Sequence, residues 1–328
     1  MRRWSSPVLC LILAAGCGPG VWVPVADGLD EALLSVTGSA ADDVWTVGGD
    51  VGSGPAFLHW DGTTWSQVEV GSSGDLWWVW QAAPDDVWAV GAEGRILRHT
   101  PSKEAVVVAT VDEDLTLYGI WGASTDEVWA VGGNPTEASD AAALWRSDGG
   151  AWLEVELPAE LAAAAALYKV WGSAADDVWV VGTGGVIGHY DGDAWLPVAS
   201  PTTRDLFTVH GLGKDEAFAV GGFGTATLLH WNGRTWSDES QPGVPAFPGV
   251  FARDGKAWAA GSQGAVWSRD ASGWTEDPRG LASRADLHAV WVDPDGGVWT
   301  VGGNIASYPL SGGVLTYGGG SPPELLAP

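Results

Sequence analysis

One seven-residue phrase recurs along this chain and constrains its fold more than any other feature. It reads Asp-Asp-Val-Trp-x-Val-Gly and first occurs as Asp42-Asp43-Val44-Trp45-Thr46-Val47-Gly48. Intact or degenerate, it returns around Trp88, Trp129, Trp179, Phe218, Trp258 and Trp299. Successive spacings are 43, 41, 50, 39, 40 and 41 residues. A fixed period of this size marks one supersecondary unit reused and stacked against its neighbours.

Most copies carry four short segments. An apolar opening segment, such as Leu117-Tyr118-Gly119-Ile120-Trp121-Gly122 or Leu167-Tyr168-Lys169-Val170-Trp171-Gly172, leads through an acidic turn into the Val-Trp-x-Val-Gly segment. A Gly-rich turn then precedes a third segment, such as Phe57-Leu58-His59-Trp60 or Val186-Ile187-Gly188-His189-Tyr190. A turn of the type Asp61-Gly62 or Asp191-Gly192 leads to a fourth, such as Trp195-Leu196-Pro197-Val198. Segments rich in β-branched and aromatic residues, bounded by Gly and Asp turns, are strand and hairpin signals. Four strands per unit of about 40–45 residues is the pattern of propeller blades. The 48 Gly residues fit the many tight turns such blades need.

The two ends of the repeat array complement each other. The seventh copy stops after its third segment, Val314-Leu315-Thr316-Tyr317, and a Gly/Pro-rich tail, 318–328, follows. A segment of the missing kind stands alone at the start: Val21-Trp22-Val23-Pro24-Val25 matches Ala194-Trp195-Leu196-Pro197-Val198. Residues 21–25 are therefore expected to supply the outer strand of the last blade, which removes two open sheet edges. The expected fold is all-β: a seven-bladed β-propeller of four-stranded antiparallel blades over residues 21–317, closed by an N-terminal strand.

The repeated residues have structural readings. Trp accounts for 23 positions, which points to one position used repeatedly. A buried Trp removes about 150–250 Å² from water, so the Trp of the second strand suits the gap between diverging blades. Phe218 stands in its place once, which favours packing over chemistry. The acidic pairs Asp42-Asp43, Asp85-Asp86, Asp126-Glu127, Asp176-Asp177 and Asp215-Glu216 fall between first and second strands. Asp61, Asp148, Asp191 and Asp270, with Asn232 in the fifth unit, fall between third and fourth strands, at the same end of the blade. These acids read as turn residues that accept backbone hydrogen bonds; the alternative is a ring of calcium sites. His59, His99, His189 and His230 take similar third-strand positions in different units, so they would be spread around a disc rather than gathered on a metal.

Several function classes are excluded or disfavoured. With 15 basic and 41 acidic residues the net charge is −26, which repels phosphate backbones and argues against nucleic-acid binding. There is no H-E-x-x-H, no G-x-S-x-G and no Walker loop. Gly182-Thr183-Gly184-Gly185 joins two strands and opens no helix, so it reads as a hairpin turn. Cys10 and Cys17 are the only cysteines, which leaves the repeat region without a disulfide, thiolate metal site or Cys nucleophile. The chain is expected to be non-catalytic, with no cofactor beyond the calcium alternative.

The N-terminus has a basic Arg2-Arg3, an apolar run over 8–15 that is too short to cross a membrane, and then Leu13-Ala14-Ala15-Gly16-Cys17. This resembles a bacterial lipoprotein signal, which implies a signal peptide over 1–16, lipidation at Cys17 and a short tether over 17–20. Ala14 departs from that pattern, in which Leu is commonest at this place. Loss of Arg2 and Arg3 would take the net charge from −26 to −28. Such a surface does not seek anionic lipid, so the membrane would be reached only through the anchor. The resemblance implies an exported protein: an outer-membrane lipoprotein, or one of the periplasm or cell surface.

The repeat itself resembles the Val-Trp-Ala-Val-Gly repeats of bacterial surface lipoproteins. Gly48-Gly49 followed by Trp60 and Trp65 is similar to kelch repeats. Asp61-Gly62-Thr63-Thr64-Trp65 is similar to the Asp-box of sialidases, although the Asp-to-Trp spacing is one shorter, as it is again before Trp152, Trp195 and Trp274. Sialidases also gather arginines, and only nine Arg remain beyond the signal, scattered over several units. Likeness to tectonin-type lectin propellers is looser. These resemblances imply a cell-surface binding or scaffolding propeller with a protein or polysaccharide partner, or, as the alternative, a lectin-like or divergent glycan-hydrolysing propeller. Trp77 and Trp78 are the candidate ligand-binding residues, because Trp80 already fills the repeated first-strand position; the other reading of the two is an extra buried pair. Turns at the acidic end are uniform, whereas those at the other end vary, from Ala92-Glu93-Gly94 to Asn134–Ala142 and Asn304–Ser311. Variable loops on a rigid frame place any ligand on that variable face, near the axis.

Overall fold

A computed structural model describes residues 20–100, 103–136, 140–320, 322, 323, 325 and 326. The expected signal peptide over 1–16, Cys17 and most of the expected tether lie outside the described residues. The described chain forms seven four-stranded antiparallel sheets. In the first, strands Leu33–Ala40, Asp43–Asp50, Pro55–Trp60 and Trp65–Gln67 follow one another from inside to outside. The same order repeats in each blade, and the innermost strands touch one another in a closed circle, the seventh against the first. The expected seven-bladed propeller is the fold observed.

The seventh blade is composite. Its strands Leu287–Val292, Val298–Asn304 and Ser311–Gly318 are completed on the outside by Val23–Glu31. Val23 pairs with Tyr317 and Pro24 with Thr316, as Leu196 pairs with His189 and Pro197 with Gly188 in the fourth blade. The expected match of Trp22 to Trp195 thus holds in register. The strand itself is a correction to the expected 21–25. It starts two residues later and runs on to Glu31, because its partner is an eight-residue strand whose whole length needs pairing. Trp22 lies just outside it, beneath the Arg279 guanidinium at 4.2 Å. Part of the tail also docks: the Leu326 backbone N–H donates to the Val25 carbonyl and its side chain joins the adjoining core.

The second-strand aromatic residues fill the gaps between blades. Trp45 packs on Leu76 and Val79 of the following blade, Trp129 on Leu167 and Val170, Trp179 on Leu206 and Val209, and Phe218 on Phe247 and Val250. Trp299 closes the circle against Leu33 and Val36. The cores are therefore shared across interfaces, so no blade buries its apolar surface alone.

In four blades the second-strand Trp is also capped by a third-strand side chain, and that side chain is held by the second acid of the turn. His59 stacks on Trp45 at 3.8 Å and meets Asp43 at 2.8 Å. His189 stacks on Trp179 at 4.2 Å and meets Asp177 at 2.6 Å. Arg98 covers Trp88 and makes two bonds to Asp86, and Arg146 covers Trp129 and bonds Glu127. His99 does not belong to this set. Arg98 is the residue opposite Trp88, and His99 lies one place on, opposite Val87, so strand alternation turns it toward Trp45 of the preceding blade.

The acidic turns carry turn chemistry. Asp61 Oδ1 accepts from the Thr63 and Thr64 amides, Asp191 from Asp193 and Ala194, and Asn232 from Arg234 and Thr235. The two turns of a blade also touch. Gly62, at φ +85°, lies so close to Asp42 that an added Cβ would stand 2.7 Å from the Asp42 Cβ, and Gly192 repeats this beneath Asp176.

Candidate functional site

The first strands line the axis, and a register shift near their start builds the site. The shift falls between Leu33 and Ser35, Leu76 and Trp78, Leu117 and Gly119, Leu167 and Lys169, Leu206 and Thr208, and Leu287 and Ala289. A bulge leaves one residue unpaired and re-aims its side chain. The residues so released are Leu34, Trp77, Tyr118, Tyr168, Phe207 and His288, with Pro248 in the sixth blade, and all seven line one axial cavity of about 500 Å³.

Five rings form an arc along the wall. Trp77 meets Tyr118, Tyr118 meets Tyr168, Tyr168 meets Phe207 and Phe207 meets Phe223, with centroids 5.1–5.4 Å apart and planes 60–78° apart. Such edge-to-face contacts are favourable beyond the area they bury. The mouth is at the variable end of the disc. Pro135 comes from the long connection of the third blade, Phe223 from that of the fifth, and Asn304 to Ala306 from that of the seventh. Phe223 is 76% exposed and Ile305 is 41% exposed, so the rim itself is apolar.

The floor is made by two long side chains where the other blades have small ones. Trp78 and Lys169 occupy the position that is Ser35, Gly119, Thr208, Gly249 and Ala289 elsewhere. They belong to the second and fourth blades and meet across Gly119 of the third. The Lys169 Nζ lies 2.9 Å from the centre of the Trp78 ring and donates to the Tyr118 carbonyl at 3.1 Å. Burial pushes the Lys169 amine well below its ordinary value.

Below this floor a second, smaller cavity of about 240 Å³ is lined by the next aromatic level, Trp80, Trp121, Trp171, Phe251 and Trp291, with His210 and Arg253. These rings are packing elements. An added Cβ on Gly122, Gly172, Gly211 or Gly38 would clash with the Trp of the preceding blade. His210 Nδ1 accepts from the Ala252 amide at 3.1 Å, and burial with the nearby Arg253 charge brings its pKa to about 3.

Of the sequence candidates, Trp77 and Trp78 both reach the upper cavity, half-buried, in different roles: Trp77 in the wall and Trp78 in the floor. Tyr118, Tyr168, Phe207, Lys169 and His288 were not singled out from sequence. The signal for most of them was present: the residue after the Leu that opens a blade changes from copy to copy while its frame does not. Among the described residues no cluster of His, Cys, Asp or Glu is arranged to hold a metal ion. No helix among them is long and apolar enough to cross a membrane.

No family model matches the sequence, and no curated protein matches it. Solved structures do match in fold. Virginiamycin B lyase from Staphylococcus aureus superposes with a TM-score of 0.70 at 13% identity, over 90% of this chain and 99% of that one. YCF48 from Cyanidioschyzon merolae gives 0.66 at 16%, over 90% and 98%. YCF48 bound to D1 peptide gives 0.54 at 14%, over 89% and 81%. At these identities the likeness is one of fold alone.

Proposed function

We propose that this chain is a non-catalytic binding propeller, exported and held at the cell envelope by lipid on Cys17, whose ligand seat is the axial cavity on the variable face. One observation carries the reading. Six bulges and a proline turn seven side chains of six kinds into one cavity, while the residues that build the frame stay almost constant. A ring of that kind varies where recognition needs it and nowhere else.

Two polar groups of the cavity are held by backbone, which supports a binding reading. Asp286 accepts from the Gln263 amide at 2.8 Å. His288 shares Nε2 with the Gly303 carbonyl at 2.8 Å, and burial lowers its pKa despite that bond. The tilted rings offer slots for one apolar group rather than a flat platform for a sugar chain, which favours a protein or peptide partner over a polysaccharide. The YCF48 structure with D1 peptide supports such a partner as an example of a propeller that takes a peptide.

The test immobilises the mature chain and exposes it to a displayed random-peptide library and to soluble polysaccharides. Peptides retained by the wild type should bind about tenfold more weakly to Tyr168→Ala and as well as before to Asp42→Asn. Retention of a polysaccharide that Tyr168→Ala leaves unchanged would overturn both the seat and the partner class.

A further inference from the structure

Among the described residues that line the upper cavity, Lys169 in the floor is the one cationic side chain, and it is only 5% exposed. Among the described residues no carboxylate lies within ion-pair distance of it. Lysines buried to this degree are ordinarily paired. Nor does the fold require it, since the same place is Ser, Gly, Thr or Ala in five other blades. One N–H is used by the Tyr118 carbonyl, and the Trp78 face partly solvates the charge. Among the described residues the remaining donor capacity of the amine meets no acceptor.

We propose that the cavity takes a ligand joining an apolar, aromatic-sized body to a single acid group, and that Lys169 is the counter-ion the acid meets at the floor. The inference rests on the axial cavity being the ligand seat. The walls supply the apolar part: Trp77, Tyr118, Tyr168 and Phe207 would flank the body, and a cavity of about 500 Å³ matches one such group. The floor supplies the charge, and in an apolar enclosure an ion pair is far stronger than in water. Asp286 near the mouth and the net charge of −26 repel anions generally. A second acid group on the ligand is therefore disfavoured, and the acid enters first, beneath the apolar body. The same chemistry is offered by a small organic acid and by the C-terminal residue of a partner chain.

Two dyes with one aromatic body separate charge from cavity: 8-anilinonaphthalene-1-sulfonate and its neutral counterpart N-phenyl-1-naphthylamine. Both should bind the mature wild-type chain, and Tyr168→Ala should weaken both. Lys169→Met should weaken the sulfonate by about tenfold, the loss of one charge-assisted contact, and leave the neutral dye unchanged. Thermal melts of the variants confirm that each is folded, and Lys169→Gln provides a second, polar replacement. Equal effects of Lys169→Met and Lys169→Gln on the two dyes would overturn the counter-ion and leave the seat standing. Failure of both dyes to bind, or binding indifferent to Tyr168→Ala, would overturn the seat as well. A further pair, N-acetyl-Leu-Phe as free acid and as amide, is compared with 3-phenylpropanoate. Preference for the free acid that is lost in Lys169→Met supports the proposal, and binding of 3-phenylpropanoate as well assigns a small acid rather than a chain end. No preference for either acid overturns it.

Discussion

The Asp43 carboxylate gathers Trp45, His59, Ser39 and Gln81 around one point. Burial alone would raise its pKa, but those four hydrogen bonds outweigh burial and hold it at about 2, below the ordinary 3.8. A carboxyl depressed in the folded state stabilises above its unfolded pKa and loses that contribution as pH falls through the folded one. Asp43→Asn should therefore cost about 2 kcal/mol in urea unfolding at pH 7, and the difference from wild type should shrink toward pH 2. Lys169 has the opposite consequence. Its amine is depressed, so the unfolded chain binds the extra proton and wild-type stability should rise as pH increases toward 10. Lys169→Met should remove that slope and be more stable at pH 7 by on the order of 1–3 kcal/mol. The repeated Trp and its packing role were legible because one residue type recurs at one period. The base over it was not, because it alternates between His and Arg, and His99 shows how one place of register moves a side chain to the other face.

At the level of single strands, the outer ones were legible down to their pairing. Trp22 and Trp195 correspond, and the prolines two residues later confirm it. The extra length to Glu31 was not legible, because it is set by the long partner strand and not by the pattern of the closing segment. The bulges of the first strands were equally hidden. A bulge adds one residue without a composition of its own, and Leu-Tyr-Gly and Leu-Tyr-Lys read as plain strand. Yet that single residue decides what the cavity is made of. Gly119→Val, where an added Cβ would stand 3.1 Å from Lys169 Cα and from the Tyr168 carbonyl, should disturb the floor and reduce dye binding at little cost elsewhere. A chain beginning at Ala32 should lose several kcal/mol and self-associate through the bare edge of Ser311–Gly318. A melt and sedimentation profile matching the full domain would contradict that closure role.

Over the whole disc, the two faces differ in chemistry. The acidic face spends its carboxylates on turns and on the bases that cap the Trp residues, so replacing Asp42, Asp85 and Asp176 with Asn should change partner affinity less than twofold and add little salt dependence. A large, salt-sensitive loss would move the site to that face. For the proposed anchor, Cys17→Ser should shift the protein out of the detergent phase or leave it uncleaved, and unchanged partitioning would rule the lipid out. The composite seventh blade also orders events in time. Val23 is made well before its partner Tyr317, so the contact that completes the circle spans nearly the full run of blades. Contacts of that separation carry a large loop-closure cost and slow the final step. Grafting residues 23–31 behind Gly318 would make the blade continuous in sequence. The permuted chain should reach the native state sooner while melting at a similar temperature, because the circle would no longer have to wait for its own beginning.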